Sequence, residues 1–298
     1  MKYNHLGKSE LQASEIGFGC MSLGLEQAHT SRLLRFAFDQ GINYFDTADL
    51  YDKGQNETAV GAALREVRQQ VIIATKVGNQ WRPDGSGWDW NPRKAYILEA
   101  VEQSLRRLQT DYIDLYQLHG GTLDDPIDEV IEAFDLLQQQ GKIRCYGISS
   151  IRPNVIRAYA ERSKAVSVMM QYSLLDRRPE ETCLQLLEHN QISVLARGSL
   201  AQGLLLGKES KSYLGHSAGQ VAKVAAAVKA VASPGRSAAG VAARFVLQQQ
   251  AVTSAVIGIR TEAHLREALA TSSMAPLTPD ELAALRVAAP ALLYEQHR

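Results

Sequence analysis

The chain has 298 residues, with 32 basic side chains balanced by 32 acidic ones, and three cysteines. Balanced charge excludes a global field that would gather nucleic acid or an anionic membrane. Cys20, Cys145 and Cys183 are scattered at no metal-ligand spacing, which excludes a disulfide framework or zinc cluster and fits a reducing compartment. The first residues lack an apolar core of signal-peptide length, and no run of about 18 apolar residues occurs. The expectation is a cytoplasmic globular protein with no nucleic-acid or membrane partner.

In chain order, two short segments around Gly7-Lys8-Ser9 predict a β-hairpin within residues 1–14. Ile16-Gly17-Phe18-Gly19-Cys20 is a first strand. Gly17, Gly19 and Gly24 miss the G-x-G-x-x-G spacing, and the next helix begins only near Thr30, so the Rossmann fingerprint is disfavoured. Apolar positions 33, 34, 37 and 38 make residues 30–40 a helix, stopped by Gly41. A strand then ends in Asp46, and a helix starts near Asn56, which is placed to cap it. Residues 71–76 form a strand ending in Lys76, followed by a helix opened by Asn91 as cap and Pro92 as first residue.

The alternation continues. A strand over 112–119 ends in His119, and a helix starts at Asp125-Pro126. The strand 143–149 precedes a helix after Arg152-Pro153. The strand 166–171 precedes a helix near Pro179, and the strand 192–197 follows. An Ala-rich helix (about 218–232) and another over 237–249 lead to a last strand, 254–258, and a helix to about residue 270. Thr278-Pro279-Asp280-Glu281 is a capping box that opens a terminal helix. About eight strands alternate with helices at a period of roughly 25 to 30 residues, and no linker divides them. This predicts one domain over residues 1–298, a (β/α)8 TIM barrel with an N-terminal hairpin and extra C-terminal helices. An open doubly wound sheet is the alternative, because periodicity does not show closure.

Both architectures bind ligands at the C-terminal ends of their strands. Those ends carry Asp46, Lys76, His119, Ser149-Ser150, Gln171, Arg197 and Gly258, and Tyr51 follows Asp46 by five positions. Singly, each has an ordinary explanation: a structural histidine, a solvated lysine, a loop-capping acid, a loop phenol. Their shared address makes them a candidate site. A buried carboxylate at Asp46 needs a positive partner, which Lys76 can be. A free phenol has a pKa near ~10, and a nearby ammonium favours its ionised form. Tyr51 can then protonate an alkoxide forming from a carbonyl, with His119 hydrogen-bonding the carbonyl oxygen or the phenol. No metal is needed, and there is no His/Cys cluster to hold one.

Two long connections lie on the same rim. Residues 77–90 hold Trp81, Trp88 and Trp90, all three tryptophans of the chain. They are candidates for the wall of an apolar substrate pocket, or for a loop that merely tucks its indoles onto the barrel. Gly198-Ser199-Leu200-Ala201-Gln202-Gly203-Leu204 offers small residues with exposed amides that can cradle a pyrophosphate.

The chain resembles the aldo-keto reductases, most closely a bacterial oxidoreductase branch. The resemblance rests on Asp46-Thr47-Ala48-Asp49-Leu50-Tyr51, Ala74-Thr75-Lys76, Asp114-Leu115-Tyr116-Gln117-Leu118-His119, Gly147-Ile148-Ser149, Gln171-Tyr172 and the stretch from Leu200. It implies a barrel that binds NADPH in preference to NADH and moves hydride to an aldehyde or ketone. Tyr51 would be the general acid, Lys76 and Asp46 its tuning pair, and His119 the orienting group. Ser149 and Gln171 would hold the nicotinamide carboxamide. Ser150 stands where Asn is usual, and Arg197 where an aromatic ring often stacks, although a guanidinium can also stack. Met21, Gly198, Ser199, Leu200, Gln202, Gly203 and Gly258 would line the cofactor. Arg260 would meet the 2′-phosphate, with His264 where Arg or Gln is usual. A nicotinamide-sensing subunit with little turnover, and a Schiff-base aldolase using Lys76, remain rival readings. The carbonyl substrate and the oligomeric state are not legible.

Overall fold

The computed structural model describes residues 1–24 and 26–298. The opening hairpin pairs β1 (Tyr3–His5) with β2 (Gln12–Ser14), as expected. In chain order there follow β3 (Ile16–Gly19), α1 (Gln27–Asp39), β4 (Tyr44–Asp46), α2 (Gln55–Leu64), β5 (Ile72–Val77), β6 (Asn79–Trp81), β7 (Trp88–Trp90), α3 (Lys94–Leu108) and β8 (Ile113–Leu118). The second half supplies α4 (Ile127–Gln139), β9 (Ile143–Ser149), α5 (Pro153–Arg162), β10 (Ser167–Gln171), α6 (Cys183–His189), β11 (Ser193–Arg197), α7 (Ala218–Val231), α8 (Ala238–Leu247), β12 (Val252–Gly258), α9 (Glu262–Ser273) and α10 (Pro279–Ala288).

Eight strands close a parallel barrel in the order β3-β4-β5-β8-β9-β10-β11-β12, with β12 pairing back onto β3. Closure decides against the open sheet. Two apolar cores result. Tyr44, Ile72, Ala74, Leu115, Cys145, Met169, Leu195 and Val256 fill the barrel, and Leu6, Leu11 and Ala13 of the hairpin plug its lower end. The larger core lies between the opposite strand faces and the helices. Alternation of side chains along each strand produces this division. Gly7 has φ +56, and a Cβ there would stand 2.3 Å from the Val166 carbonyl oxygen, so only glycine lets the plug seat so closely.

Several expected boundaries move. Helix α1 starts at Gln27 because Glu26 accepts from the His29 N–H at 3.1 Å, a cap outside the usual Ser/Thr/Asp/Asn set. Asn56 lies inside α2 rather than capping it. Its side chain turns inward, donating to the Cys20 carbonyl at 2.9 Å and accepting from Thr47 Oγ1 at 2.7 Å. Asn91 and Pro92 precede α3, whose N-cap is Arg93. Asn91 instead closes a local turn by accepting from the Arg93 N–H at 3.1 Å. Near Pro179 the chain makes a 3-10 turn (Arg178–Glu181) before α6. Residues 77–90 form an antiparallel hairpin, β6 with β7, that pairs Trp81 with Trp88. The capping box at Thr278 and Glu281 forms as expected. Among the described residues no helix is long and apolar enough to cross a membrane.

Candidate active site

At the upper rim, Asp46 ends β4 and Lys76 lies on the neighbouring β5, both facing into the barrel. Lys76 is 1% exposed and Asp46 4%. Lys76 Nζ donates to Asp46 Oδ1 at 2.6 Å, to the Thr47 carbonyl at 2.6 Å and to Tyr51 Oη at 3.3 Å. Burial works against the ammonium, but the Asp46 carboxylate and then Tyr51 outweigh it, so Lys76 stands above the usual lysine value. Burial raises Asp46 from its ordinary value, opposed by Lys76 and by a hydrogen bond from Gln117. At 2.6 Å the two groups form a charged pair near neutral pH, because protonating the acid would strand the ammonium.

Tyr51 opens a 3-10 turn (Tyr51–Gly54) in which Asp52 (φ 49), Lys53 (φ 54) and Gly54 (φ 84) are left-handed. Two successive non-glycine residues in that region store strain directly behind the phenol. Arg107 of α3 packs under Gly54, where a Cβ would meet its Cδ at 2.7 Å. Arg107 Nε also donates to the buried Glu57 at 2.6 Å, whose other oxygen accepts from Thr75 Oγ1 at 2.6 Å. Above the turn, Lys53 Nζ donates to the Gly85 carbonyl at 3.3 Å and lies 5.3 Å from the Trp81 ring centre. The phenol's loop is thus held from below by α3 and from above by the β6–β7 hairpin.

His119 follows β8 and meets Tyr51 edge to face, with ring centres 6.0 Å apart. Burial, then the positive charges of Lys76 and Arg197, pull its pKa down to about 3, so the imidazole is neutral at physiological pH. Its Nδ1 is buried and finds no partner among the described residues. A neutral ring beside a phenol and an ammonium can hydrogen-bond a polarised oxygen without adding charge.

The remaining expected groups distribute around the rim. Ser149, Gln171 and Arg197 end adjacent strands, in register Met169–Ser149 and Gln171–Arg197. Arg197 is exposed and donates to Gln171 Oε1 at 3.2 Å, while Gln171 Nε2 donates to Tyr213 Oη at 3.2 Å. Tyr213 was not flagged from sequence, since it lies in a connection between elements. The Ser150 hydroxyl accepts from the Arg152 N–H at 3.2 Å, at the start of α5. Gly198 (φ +72), Ala201 (φ 46), Gln202 (φ 58) and Gly203 (φ +87) turn the backbone back on itself through Ser199 and Leu200. Met21 is exposed on the turn after β3. Beyond Gly258, Thr261 caps α9 by accepting from the His264 N–H at 3.2 Å, and Arg260 and His264 are exposed at that helix N-terminus. Hydroxyl, carboxamide and guanidinium groups at one end, and a helix N-terminus preceded by Arg260 at the other, are a donor set that suits an amide-bearing ring and an anion. Of the tryptophans, Trp88 is exposed, while Trp90 is committed to the barrel: its Nε1 donates to Asp125 Oδ1 at 2.9 Å.

Sequence reading passed over Gln117. It is fully buried, faces Asp46, and donates from Nε2 to Asp46 Oδ2 at 3.3 Å. A polar residue inside the otherwise apolar stretch Leu115–Leu118 was the available signal.

A closed parallel barrel whose C-terminal rim holds a phenol, a buried ammonium–carboxylate pair and a neutral imidazole has the layout of a barrel enzyme, in which the active site lies at that rim. Residues 15–289 match the model of the Aldo/keto reductase family, and the chain belongs to that family, whose members are NAD(P)H-dependent oxidoreductases acting on carbonyl groups. It is 49% identical to the uncharacterized oxidoreductase YqkF of Bacillus subtilis, over 100% of both chains. It is 34% identical to the NADH-specific methylglyoxal reductase of Escherichia coli, over 72% of each. Among solved structures, the holo form of aldo-keto reductase AKR11C1 from Bacillus halodurans superposes with a TM-score of 0.94 at 48% identity, covering 100% of this chain and 99% of that one. The apo form of the same protein, with the same coverage, gives 0.86 at 46% identity.

Proposed function

We propose that this protein reduces aldehyde or ketone carbonyls to alcohols with NADPH, using Tyr51 as the general acid. The contact from Tyr51 Oη to Lys76 Nζ, and from Lys76 to the buried Asp46, carries this reading. When bound, the nicotinamide supplies the hydride that the carbonyl carbon accepts. Tyr51 gives its proton to the carbonyl oxygen as that oxygen gains negative charge, and the adjacent ammonium compensates the phenolate left behind. Asp46 keeps Lys76 protonated, and His119 orients the carbonyl oxygen through its neutral ring.

Ser149 and Gln171 are assigned to the nicotinamide carboxamide, with Ser150 contributing only its free hydroxyl proton. Arg197 is assigned to the ring face, and Met21 with Gly198, Ser199, Leu200, Gln202, Gly203 and Gly258 to the length of the cofactor. Arg260 supports NADPH over NADH, because a guanidinium at a helix N-terminus suits a 2′-phosphate; His264 lies on the same turn. The E. coli relative named for NADH shows that the family includes the other preference, which makes this assignment worth measuring first. Trp81 and Trp88 are assigned to the substrate wall, with Trp90 holding them in place.

The test is steady NADPH oxidation with a panel of aldehydes, methylglyoxal included. Tyr51→Phe is expected to lower kcat by roughly 10² to 10⁴; intact turnover in that variant would remove Tyr51 from the role. A higher kcat/KM with NADH than with NADPH would reverse the cofactor assignment.

A further inference from the structure

Asp46 has two carboxylate oxygens, and only one of them faces Lys76. The other accepts from Gln117, which stands directly across from Lys76 in the pairing of β5 with β8. Gln117 is fully buried, and its Oε1 finds no partner among the described residues. A buried, unpaired amide oxygen is costly where leucine or methionine would fill the same space without cost. Packing alone therefore does not account for a glutamine at this position; a donor aimed at a buried carboxylate does.

We propose that Gln117 is a positioning residue that holds the Asp46 carboxylate in the ionised state and orientation in which it grips Lys76. This rests on the reading of Tyr51 as proton donor supported by Lys76 and Asp46. The other titratable and charged groups facing Asp46 are Arg197 at the end of β11, Tyr44 on β4 itself, Cys20 after β3, and Tyr51 beyond Lys76. Asp49 and His119 face Lys76 from the loop before Tyr51 and from the end of β8. Among the described residues, Lys76 and Gln117 are the side chains that hydrogen-bond the carboxylate. A hydrogen bond to the charged form favours that form, so removing the Gln117 donor makes Asp46 take up a proton at higher pH. A protonated Asp46 no longer holds the ammonium, and the acid loses its support.

The experiment compares kcat/KM against pH, with NADPH and one aldehyde, for the wild type, Gln117→Met and Gln117→Glu. Methionine keeps the length and removes the donor. The acid-side limb of Gln117→Met is expected to move up by about one pH unit, with a melting temperature no lower than that of the wild type. Gln117→Glu is expected to restore the wild-type limb, because two carboxylates cannot both ionise in one buried site and the protonated Glu, having no ammonium of its own, still donates to Asp46. In an Asp46→Asn background, Gln117→Met is expected to add no further change, as the two residues act through one contact. An unshifted limb in Gln117→Met, with the wild type active and Tyr51→Phe inactive, overturns the proposal and leaves the functional reading standing. A wild type that turns over no carbonyl overturns both.

Discussion

Lys76 and His119 lie side by side on the same rim, and the barrel drives their charge states in opposite directions. Lys76 has a carboxylate at 2.6 Å to offset its burial. His119 has none, and the two cations nearest it add to the burial penalty. The consequence for stability can be signed. The imidazole titrates near 6.5 when unfolded and near 3 when folded, so between those values the unfolded chain binds the extra proton. The stability tied to His119 is therefore complete above about pH 6.5 and is lost as pH falls from there toward 3. His119→Gln is expected to flatten the decline of melting temperature between pH 7 and pH 4. A slope equal to the wild type's would mean the ring is not held neutral. The polar strand ends were legible because a parallel barrel brings every C-terminal end to one rim, whatever the sequence distance between them. Gln117 was missed because it sits within a strand, where the same parity that hides a core residue can aim a donor at a strand end. Lys76's bond to the Thr47 carbonyl leaves no mark in sequence at all, since any residue supplies that acceptor.

At the scale of elements, one indole ties the β6–β7 hairpin to the barrel rim. Trp90 packs over Gly78 and Gly120, and its N–H reaches Asp125 on the far side. Gly78 has φ +122, and a Cβ there would stand 2.5 Å from the Trp90 ring. Gly78→Ala must therefore displace the indole and strain its own backbone, at a cost of about 1–3 kcal/mol. The hairpin is expected to loosen first, seen as faster chymotryptic cleavage after Trp88 and as a higher KM for aldehydes with a smaller change in kcat. Unchanged cleavage would show that the indole is not the anchor. Sequence reading placed the three tryptophans on the rim but saw a loop, because Arg82-Pro83-Asp84-Gly85-Ser86-Gly87 is dense in turn formers and the strands flanking it are three residues each. Helix starts slipped for a related reason. Asn56 and Asn91 carry the chemistry of caps, yet one is drawn inward to brace the Asp46 loop and the other closes a turn before its helix. Tertiary demand overrode local preference at both.

For the whole molecule, closure of the barrel joins the first strand to the last, and one cluster secures that seam. Arg244 on α8 binds Glu15, just before β3, through Nη1 to Oε2 at 2.9 Å and Nη2 to Oε1 at 3.3 Å. The same guanidinium donates to the carbonyls of Thr271 (2.6 Å) and Ser272 (2.9 Å) at the end of α9, and Ser272 Oγ donates to Glu15 Oε1 at 2.7 Å. The backbone follows suit, with the Ala255 N–H donating to the Glu15 carbonyl at 2.8 Å. Nothing in the local sequence marks this seam: Glu15 and Arg244 each read as an ordinary surface charge, and their partnership exists only once β12 has found β3. Non-local pairing of this kind is what periodicity could not show, and it is why an open sheet stayed in contention on sequence alone. Glu15 is 2% exposed, so a variant that removes its partner leaves a buried carboxylate uncompensated and takes the guanidinium away from the carbonyls of Thr271 and Ser272. Arg244→Met is expected to cost about 3–5 kcal/mol in the urea unfolding free energy, whereas Glu15→Gln with Arg244→Met together should cost less than the single arginine change. The seam lies away from Tyr51, so the folded fraction of either variant is expected to keep the wild-type kcat. If the double variant were as unstable as Arg244→Met, the loss would come from the vacated carbonyls of α9 rather than from the stranded charge, and the seam would be a helix clamp rather than an ion pair.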